Sequence, residues 1–161
     1  MGLASLIQDE PEVARRQVER GMSLWTTVGE DVRRMAGQVM FSMIHLYEGD
    51  GAAAYQQLDR DWRRRMASPL ARLGFVRAGT QSLRGQAVLA GCQSGALDRR
   101  LIRVVARDAR DLHALGVPWI DAIARTLDAG VAFAPGDRAR GRELLERAHA
   151  ELAAAGMGLC A

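Results

Sequence analysis

A joint between two helical segments occurs twice in this 161-residue chain, and it constrains the fold more than any other feature. The first copy is Tyr47-Glu-Gly49-Asp50, and the second copy is Phe133-Ala-Pro-Gly136-Asp137. Each Gly is followed nine residues later by a Leu. Gly ends a helix in the left-handed conformation, and Asp directly after it is a good N-cap. Each copy therefore predicts a helix, a tight turn and a second helix.

The spacing of these joints indicates a repeat. Gly49 and Gly136 are 87 residues apart, and another group of helix breakers, residues 91–95, lies midway. A period of about 43 residues suits one helical hairpin per unit, which is typical of an α-solenoid. The units are longer than those of a standard tetratricopeptide repeat and lack its consensus, so we expect a tetratricopeptide-like stack of hairpins.

Apolar residues recur at helical spacing along the whole chain. The clearest run has apolar residues three and four positions apart between Val32 and Tyr47. Seven helices are predicted: 10–24, 30–48, 51–65, 69–91, 96–114, 118–133 and 137–155. No segment has the alternation of a strand, and no linker divides the chain. The prediction is a single all-α domain covering 1–161, with three hairpins and one helix left over.

Composition and charge exclude several classes of protein. The chain is 48% hydrophobic, enough for a substantial core, and its net charge of +3 comes from 22 basic and 19 acidic residues that interleave along the sequence. Nucleic-acid binding requires a clustered basic patch, so we expect no nucleic-acid partner. No apolar run approaches the roughly 18 residues needed to span a bilayer, and no export signal is present. Cys92 and Cys160 form no CxxC pair, which favours reduced thiols and a cytoplasmic location.

A series of short motifs runs through most of the chain, namely Leu24-Trp25-Thr-Thr-Val-Gly29, Ile44-His-Leu-Tyr47-Glu-Gly-Asp50 with Ala54, Trp62 with Ser68-Pro-Leu70, Gly116-Val-Pro-Trp119 with Leu127 and Ala129, and Gly136-Asp137 with Leu144-Leu145, Ala148 and Gly156-Met157. In this order they resemble the helical C-terminal region of certain large bacterial serine/threonine protein kinases. In that family the region follows a kinase catalytic domain and is regarded as a tetratricopeptide-like regulatory or protein-binding segment. The resemblance implies a signalling role and a kinase domain in cis as a partner.

The chain departs from that family in two ways. It has no Gly-rich phosphate loop, no His-Arg-Asp and no Asp-Phe-Gly, and because all its basic residues are Arg it has no phosphate-pairing Lys. Kinase catalysis therefore cannot be carried over. Family members continue into another helix beyond the position of Met157, so we expect this chain to be an excised domain or a truncated relative.

The titratable residues do not form a catalytic or metal-binding pattern. None of His45, His113 and His149 has a second His or Cys three or four positions away, so each is expected at a helix surface or core edge. The acidic pairs are placed at helix starts or on exposed faces and supply no general acid and base. We expect no catalytic residue, no cofactor and no metal.

A polar line on the fourth predicted helix is the candidate binding site. Arg77, Gln81 and Arg84 are four and three positions apart, and Arg72 is within reach of the start of the helix. On the inner helix of a solenoid this line would face the concave groove, where forked guanidinium donors suit a carboxylate or phosphate. The alternative is internal pairing or solvation. If the line binds a partner, replacing Arg77 and Arg84 by Ala should weaken binding and change stability by less than about 1 kcal/mol.

The methionines between Val32 and Tyr47, together with the three tryptophans, also allow two interpretations. They could form an adaptable binding surface, since thioether side chains repack around varied partners, but their helical spacing favours a place in the core. The leading hypothesis is thus a non-catalytic interaction module that binds a protein or peptide. A metabolite-sensing domain that regulates an attached kinase and a homodimerisation element using the unpaired last helix remain as alternatives.

Overall fold

The computed structural model describes residues 2–25 and 29–157, apart from the side chains of Leu3 and Asp31, and this part of the chain consists of helices joined by turns, with no strand. The prediction of an all-α protein is confirmed for these residues. Residues 26–28 of the first quoted motif and Cys160 lie outside them. The described α-helices are α1 Gly2–Ile7, α2 Pro11–Leu24, α3 Glu30–Tyr47, α4 Gly51–Asp59, α5 Trp62–Ala67, α6 Gly74–Gln93, α7 Ile102–His113, α8 Pro118–Phe133 and α9 Arg138–Ala154.

Helix α6 is central to the packing. It contacts α3 and α4, which precede it in the sequence, and α7 and α8, which follow it. The largest core cluster lies between α6, α7 and α8 and consists of Ala78, Val88, Val105, Ala109, Leu112, Ile120, Ala124 and Leu127. Two smaller clusters join α4 to α6 and join α1 and α2 to α3. The chain on either side of α6 is therefore held together largely through this one helix.

Both Gly-Asp joints form as predicted. Gly49 has φ +80° and Gly136 has φ +100°. Asp50 Oδ1 accepts a hydrogen bond from the Ala53 amide at 2.9 Å, and Asp137 Oδ1 accepts one from the Arg140 amide at 3.0 Å. The joints connect α3 to α4 and α8 to α9, and the two helices of each hairpin pack together. Positive φ at Gly and the Asp cap explain why the same residues occur twice.

The predicted helix over 51–65 is wrong, because it is two helices. Helix α4 ends at Asp59, and Asp61, with φ −121° and ψ 30°, separates it from α5. The break turns Trp62 so that its ring lies against Arg84 of α6, with 3.9 Å between the guanidinium carbon and the ring centroid. A tertiary contact thus overrides a local helical pattern.

Several predicted ends are also shifted. Residues Pro69–Arg72 form a 3-10 turn that starts at the Ser68 cap, so α6 begins at Gly74 and not at 69. A second 3-10 turn, Arg99–Leu101, is capped by Asp98, and α7 therefore begins at Ile102 and not at 96. Helix α1 was not predicted. It ends before Asp9, whose φ is +61°.

Candidate functional site

The predicted polar line divides between the interior and the surface. Gln81 and Arg84 are only 2% and 7% exposed, whereas Arg77 is half-buried and Arg72 is exposed. Arg77 Nε donates to Gln81 Oε1 at 3.2 Å, and its Nη2 lies 3.9 Å from Asp111 Oδ2. Solvent therefore reaches Arg72 and Arg77 but hardly reaches the other two. The binding role assigned to the line stays a prediction.

Arg84 is the centre of an internal network. Its Nη2 lies 2.5 Å from Asp59 Oδ1 of α4, and its Nη1 lies 3.2 Å from Asp108 Oδ2 of α7. The guanidinium also stacks on Trp62 of α5. One side chain of α6 thus contacts three other helices. This arrangement corresponds to the internal pairing that the sequence left as the alternative.

The partner of Arg84 in α7 is the most perturbed carboxyl group of the network. Burial raises the pKa of Asp108 to about 6, although the charge and hydrogen bonds of Arg84 act in the opposite direction. Ionised Asp108 therefore depends on Arg84, because a buried carboxylate without a cation is costly. The network stabilises the junction of α4, α6 and α7. The Nη1 and Nη2 donors of Arg84 are used by the two carboxylates, and its Nε is buried without a hydrogen-bond partner among the described residues.

An apolar groove lies between α3 and α6. It has a volume of about 640 Å³ and a mainly apolar lining. The lining residues are Val32, Met35, Ala36, Val39, Met40 and Met43 of α3, Phe75, Val76, Gly79, Thr80, Ser82, Leu83 and Gln86 of α6, and Ile123 of α8. We call this the α3–α6 groove. Phe75 is 64% exposed at the groove, and together with the methionines it forms one continuous apolar surface, which is more informative than a single exposed side chain.

The groove changes the interpretation of the α3 methionines. Met35, Met40 and Met43 were expected in the core, but all three are only partly buried and line the groove. Met40 and Met43 also pack against the cluster that contains Ile44 and residues of α1 and α2. Helix α3 therefore has apolar contacts on one side and an accessible apolar surface on the other. The apolar stripe between Val32 and Tyr47 contains the residues of both faces, and its spacing alone does not separate them.

A small basic pocket adjoins the groove, and sequence reasoning missed its central residue. The pocket has a volume of about 170 Å³ and shares Met35 with the groove. Its lining residues are Arg34, Met35, Gln38, Asp61, Arg64, Arg65, Ala67, Ser68, Pro69 and Leu70. Arg65, on α5, is only 5% exposed. No spacing in the sequence marks it, because its burial depends on the break between α4 and α5. We call this the Arg65 pocket.

His113 forms a second charged cluster, where α7 meets α8. Its Nδ1 contacts Asp121, and its Nε2 lies 2.8 Å from Asp128 Oδ2. Arg125 pairs with Asp121 at 3.1 Å and with Glu151 of α9 at 3.0 Å. Burial lowers the pKa of His113, but the hydrogen bonds and charges of the two Asp residues outweigh burial, so the net pKa is raised. Because both ring nitrogens of His113 contact carboxylates, these contacts favour the protonated imidazolium form.

This cluster predicts a loss of stability at mildly alkaline pH. Because the folded-state pKa of His113 is raised, its contribution is complete below the unfolded value of about 6.5 and is lost as pH rises through the folded value. In urea titrations from pH 6 to pH 8.5, the free energy of unfolding should fall with pH in the wild type and fall less in His113→Gln. The exposed His149 gives the control variant His149→Gln, which should follow the wild type. Equal slopes for wild type and His113→Gln would contradict the prediction.

No group of three or more His, Cys, Asp or Glu side chains within residues 2–25 and 29–157 is arranged to hold a metal ion. Over the same ranges, none of the helices combines the length and hydropathy required to cross a bilayer.

Comparison with models of protein families, with characterised proteins and with solved structures gave no match for this chain.

Proposed function

We propose that this chain is a non-catalytic protein-binding module and that its α3–α6 groove accepts the apolar face of an amphipathic helix from a partner protein. Helix-in-groove recognition uses an apolar channel between helices and anchors at positions i, i+3, i+4 and i+7 of the ligand. The α3–α6 groove has the apolar lining that such anchors need. Met35 and Phe75 line the groove without being fully buried, so both side chains are available to contact a peptide.

The exposure of Phe75 is the observation that carries the proposal. A 64% exposed Phe beside three partly buried methionines leaves apolar surface in water. Covering such surface contributes a favourable term of about 25 cal/mol for each Å² removed from water, which is partly offset by the entropic cost of association. Methionine adds adaptability, because its unbranched side chain repacks around anchors of different shape. These properties support a protein ligand over a metal ion or a small polar metabolite.

The finer architectural interpretation belongs to this proposal. Two hairpins, α3–α4 and α8–α9, have the same Gly-Asp joint and lie on either side of α6 in the sequence. This repetition supports a tetratricopeptide-like stack, in which a binding surface runs along the inner helices. From the resemblance to bacterial serine/threonine kinases, we propose further that the partner helix belongs to such a signalling protein. A kinase domain in the same chain would be one origin of that helix.

A model peptide tests the groove directly. The peptide is about 18 residues long, long enough for a helix, with Leu at i, i+3, i+4 and i+7 and with Ala, Gln and Lys elsewhere. Binding is followed by NMR of protein labelled with ¹³C at its methionine methyl groups. The methyl signals of Met35, Met40 and Met43 should shift on titration. Met22, which packs against Gly37, and Met66, which lines a different pocket, should not.

Phe75→Asp should weaken binding of this peptide by about tenfold or more, because it places a charge in the apolar groove and removes an anchor contact. Its exposure means that the fold should tolerate the change. Leu145→Asp is the matched control, since Leu145 is a 42% exposed apolar residue on α9, outside the groove. Affinities are measured by fluorescence anisotropy with a neutral dye on the peptide. Equal weakening by both variants would assign the effect to general loss of surface hydrophobicity.

Two other outcomes distinguish the alternatives. Sedimentation could show that the wild-type protein is a dimer. If the dimer is then lost in Phe75→Asp but kept in Leu145→Asp, a second copy of this chain is the occupant of the groove. No methionine shift with any placement of the Leu anchors would reject helix binding in the groove.

A further inference from the structure

Arg65 is a buried cation without a complete set of partners. Its Nη2 donates to Gln38 Oε1 at 2.5 Å, while its Nη1 is buried and has no hydrogen-bond partner in the described part of the chain. Within these ranges, the ion pairs that the structure forms do not include Arg65. Burial lowers the pKa of this guanidinium, and the charges of Asp61 and Asp59 offset part of that effect.

This condition differs from that of the other buried arginine. Each of the two has one buried nitrogen without a hydrogen-bond partner, Nε in Arg84 and Nη1 in Arg65, so the difference lies in the counter-charges. Arg84 has one carboxylate at 2.5 Å and a second at 3.2 Å, whereas Arg65 has an amide oxygen at 2.5 Å and a ring centroid 6.0 Å away. An uncompensated buried charge costs stability, and an anion that enters the site would remove that cost on binding. The difference between the two arginines indicates a missing anionic partner at Arg65.

The Arg65 pocket has room for such a partner. Its volume of about 170 Å³ is several times the roughly 30 Å³ that one water molecule occupies in the liquid. Three arginines, Arg34, Arg64 and Arg65, line it together with one acid, Asp61. Arg34 is paired with the exposed Glu30 at 2.8 Å, a contact that water and salt weaken. Because Arg34 and Arg64 both make interactions of their own, the inference depends on the charge of Arg65 alone.

We propose that the Arg65 pocket binds the carboxylate of an Asp or Glu side chain carried by the helix that occupies the α3–α6 groove. This inference rests on the proposed function, because Met35 lines both the groove and the pocket. An apolar face in the groove and an acidic side chain at its end would be recognised together. The acid would fix the register of the helix, which apolar contacts alone define poorly.

A carboxylate suits this pocket better than a phosphate does. The planar guanidinium fork matches the two oxygens of a carboxylate, and one carboxylate balances one unpaired arginine. Asp61 lines the same pocket and would repel a doubly charged phosphate more strongly than a singly charged group.

The central experiment compares two versions of the model peptide. A Glu or a Gln is placed at each of several positions just beyond the Leu face, and both versions are titrated against wild type and Arg65→Met by fluorescence anisotropy. At one position the Glu peptide should bind wild type about tenfold more tightly than the Gln peptide, and this ratio should fall to near one in Arg65→Met. Arg34→Gln, a change at a more exposed lining residue, should reduce the ratio partially and guards against misfolding of Arg65→Met.

The outcomes separate this inference from the proposed function. If the methionine signals shift but the Glu and Gln peptides bind equally at every position, the carboxylate site is overturned and the groove proposal stands. If no peptide binds, sodium acetate is titrated and the Arg65 Nε–H signal is followed by NMR. A saturable acetate shift supports the pocket, and its absence overturns it. Tighter binding of inorganic phosphate than of acetate also overturns the assignment to a carboxylate.

Discussion

Arg84→Met should lower the free energy of unfolding by about 3–5 kcal/mol at pH 7.5, because it removes one partner of a buried ion pair. The substitution keeps most of the buried volume but leaves Asp108 as a buried carboxylate without its cation. Asp59 loses the same partner at lower cost, because it is partly exposed and can be hydrated. The loss is measured by urea unfolding followed by circular dichroism.

The second arginine of α6 is the control. Arg77 is half-buried, and its distance of 3.9 Å from Asp111 indicates a weak ion pair. Arg77→Met should change the free energy of unfolding by less than about 1 kcal/mol. The sequence alone gave both arginines this small expected change, and the burial of Arg84 is the reason to separate them. Equal effects of the two substitutions would contradict the account of the network.

The pH dependence provides an independent check on Asp108. Its folded-state pKa of about 6 is above the unfolded value, so its contribution to stability is complete below about 3.9 and is lost as pH rises through about 6. In Arg84→Met this carboxyl group should become still harder to ionise. The stability difference between the variant and the wild type should therefore shrink between pH 7.5 and pH 4.5. Adding Asp108→Leu to Arg84→Met should recover most of the loss, since no buried charge then remains unpaired.

The helices were predictable where local chemistry determines them. The joints at Gly49–Asp50 and Gly136–Asp137 formed as expected, because positive φ and a side-chain cap are properties of the residues themselves. The break after Asp59 was not predictable in the same way. The pattern from 51 to 65 is locally helical, and the contact of Trp62 with Arg84 is made only once α6 is in place.

The candidate groove was less accessible to prediction than the fold. Apolar residues at helical spacing show that α3 has an apolar face, but they do not show whether a neighbouring helix covers all of it. Met35 and Val39 thus belong to the same stripe as the fully buried Ile44, yet they line an open surface. Arg65 was equally hidden, since its burial depends on the direction in which α5 leaves α4. Both features arise from tertiary packing.

One glycine marks a close approach between the backbones of two helices. A Cβ added to Gly51, the first residue of α4, would lie 2.4 Å from the Gly91 amide nitrogen and 2.8 Å from the Ala87 carbonyl oxygen. Both atoms belong to the backbone of α6, which cannot rotate away as a side chain can. This contact brings α4 close enough to α6 for Ala54, Leu58 and Ala87 to be fully buried. Neither Gly51 nor Gly91 stands out in the sequence as the site of a crossing.

Gly51→Ala should therefore lower the free energy of unfolding by about 3 kcal/mol, at the upper end of the usual cost of overpacking. The added methyl group forces α4 away from α6 and opens the small core cluster between them. Gly21→Ala is the matched control, because Gly21 lies in α2 with nothing near its Cβ position, and it should gain about 0.5–1 kcal/mol from higher helix propensity. Both variants are measured by urea unfolding, with far-ultraviolet circular dichroism to confirm unchanged helix content. A Gly51→Ala protein as stable as Gly21→Ala would show that α4 and α6 do not approach so closely.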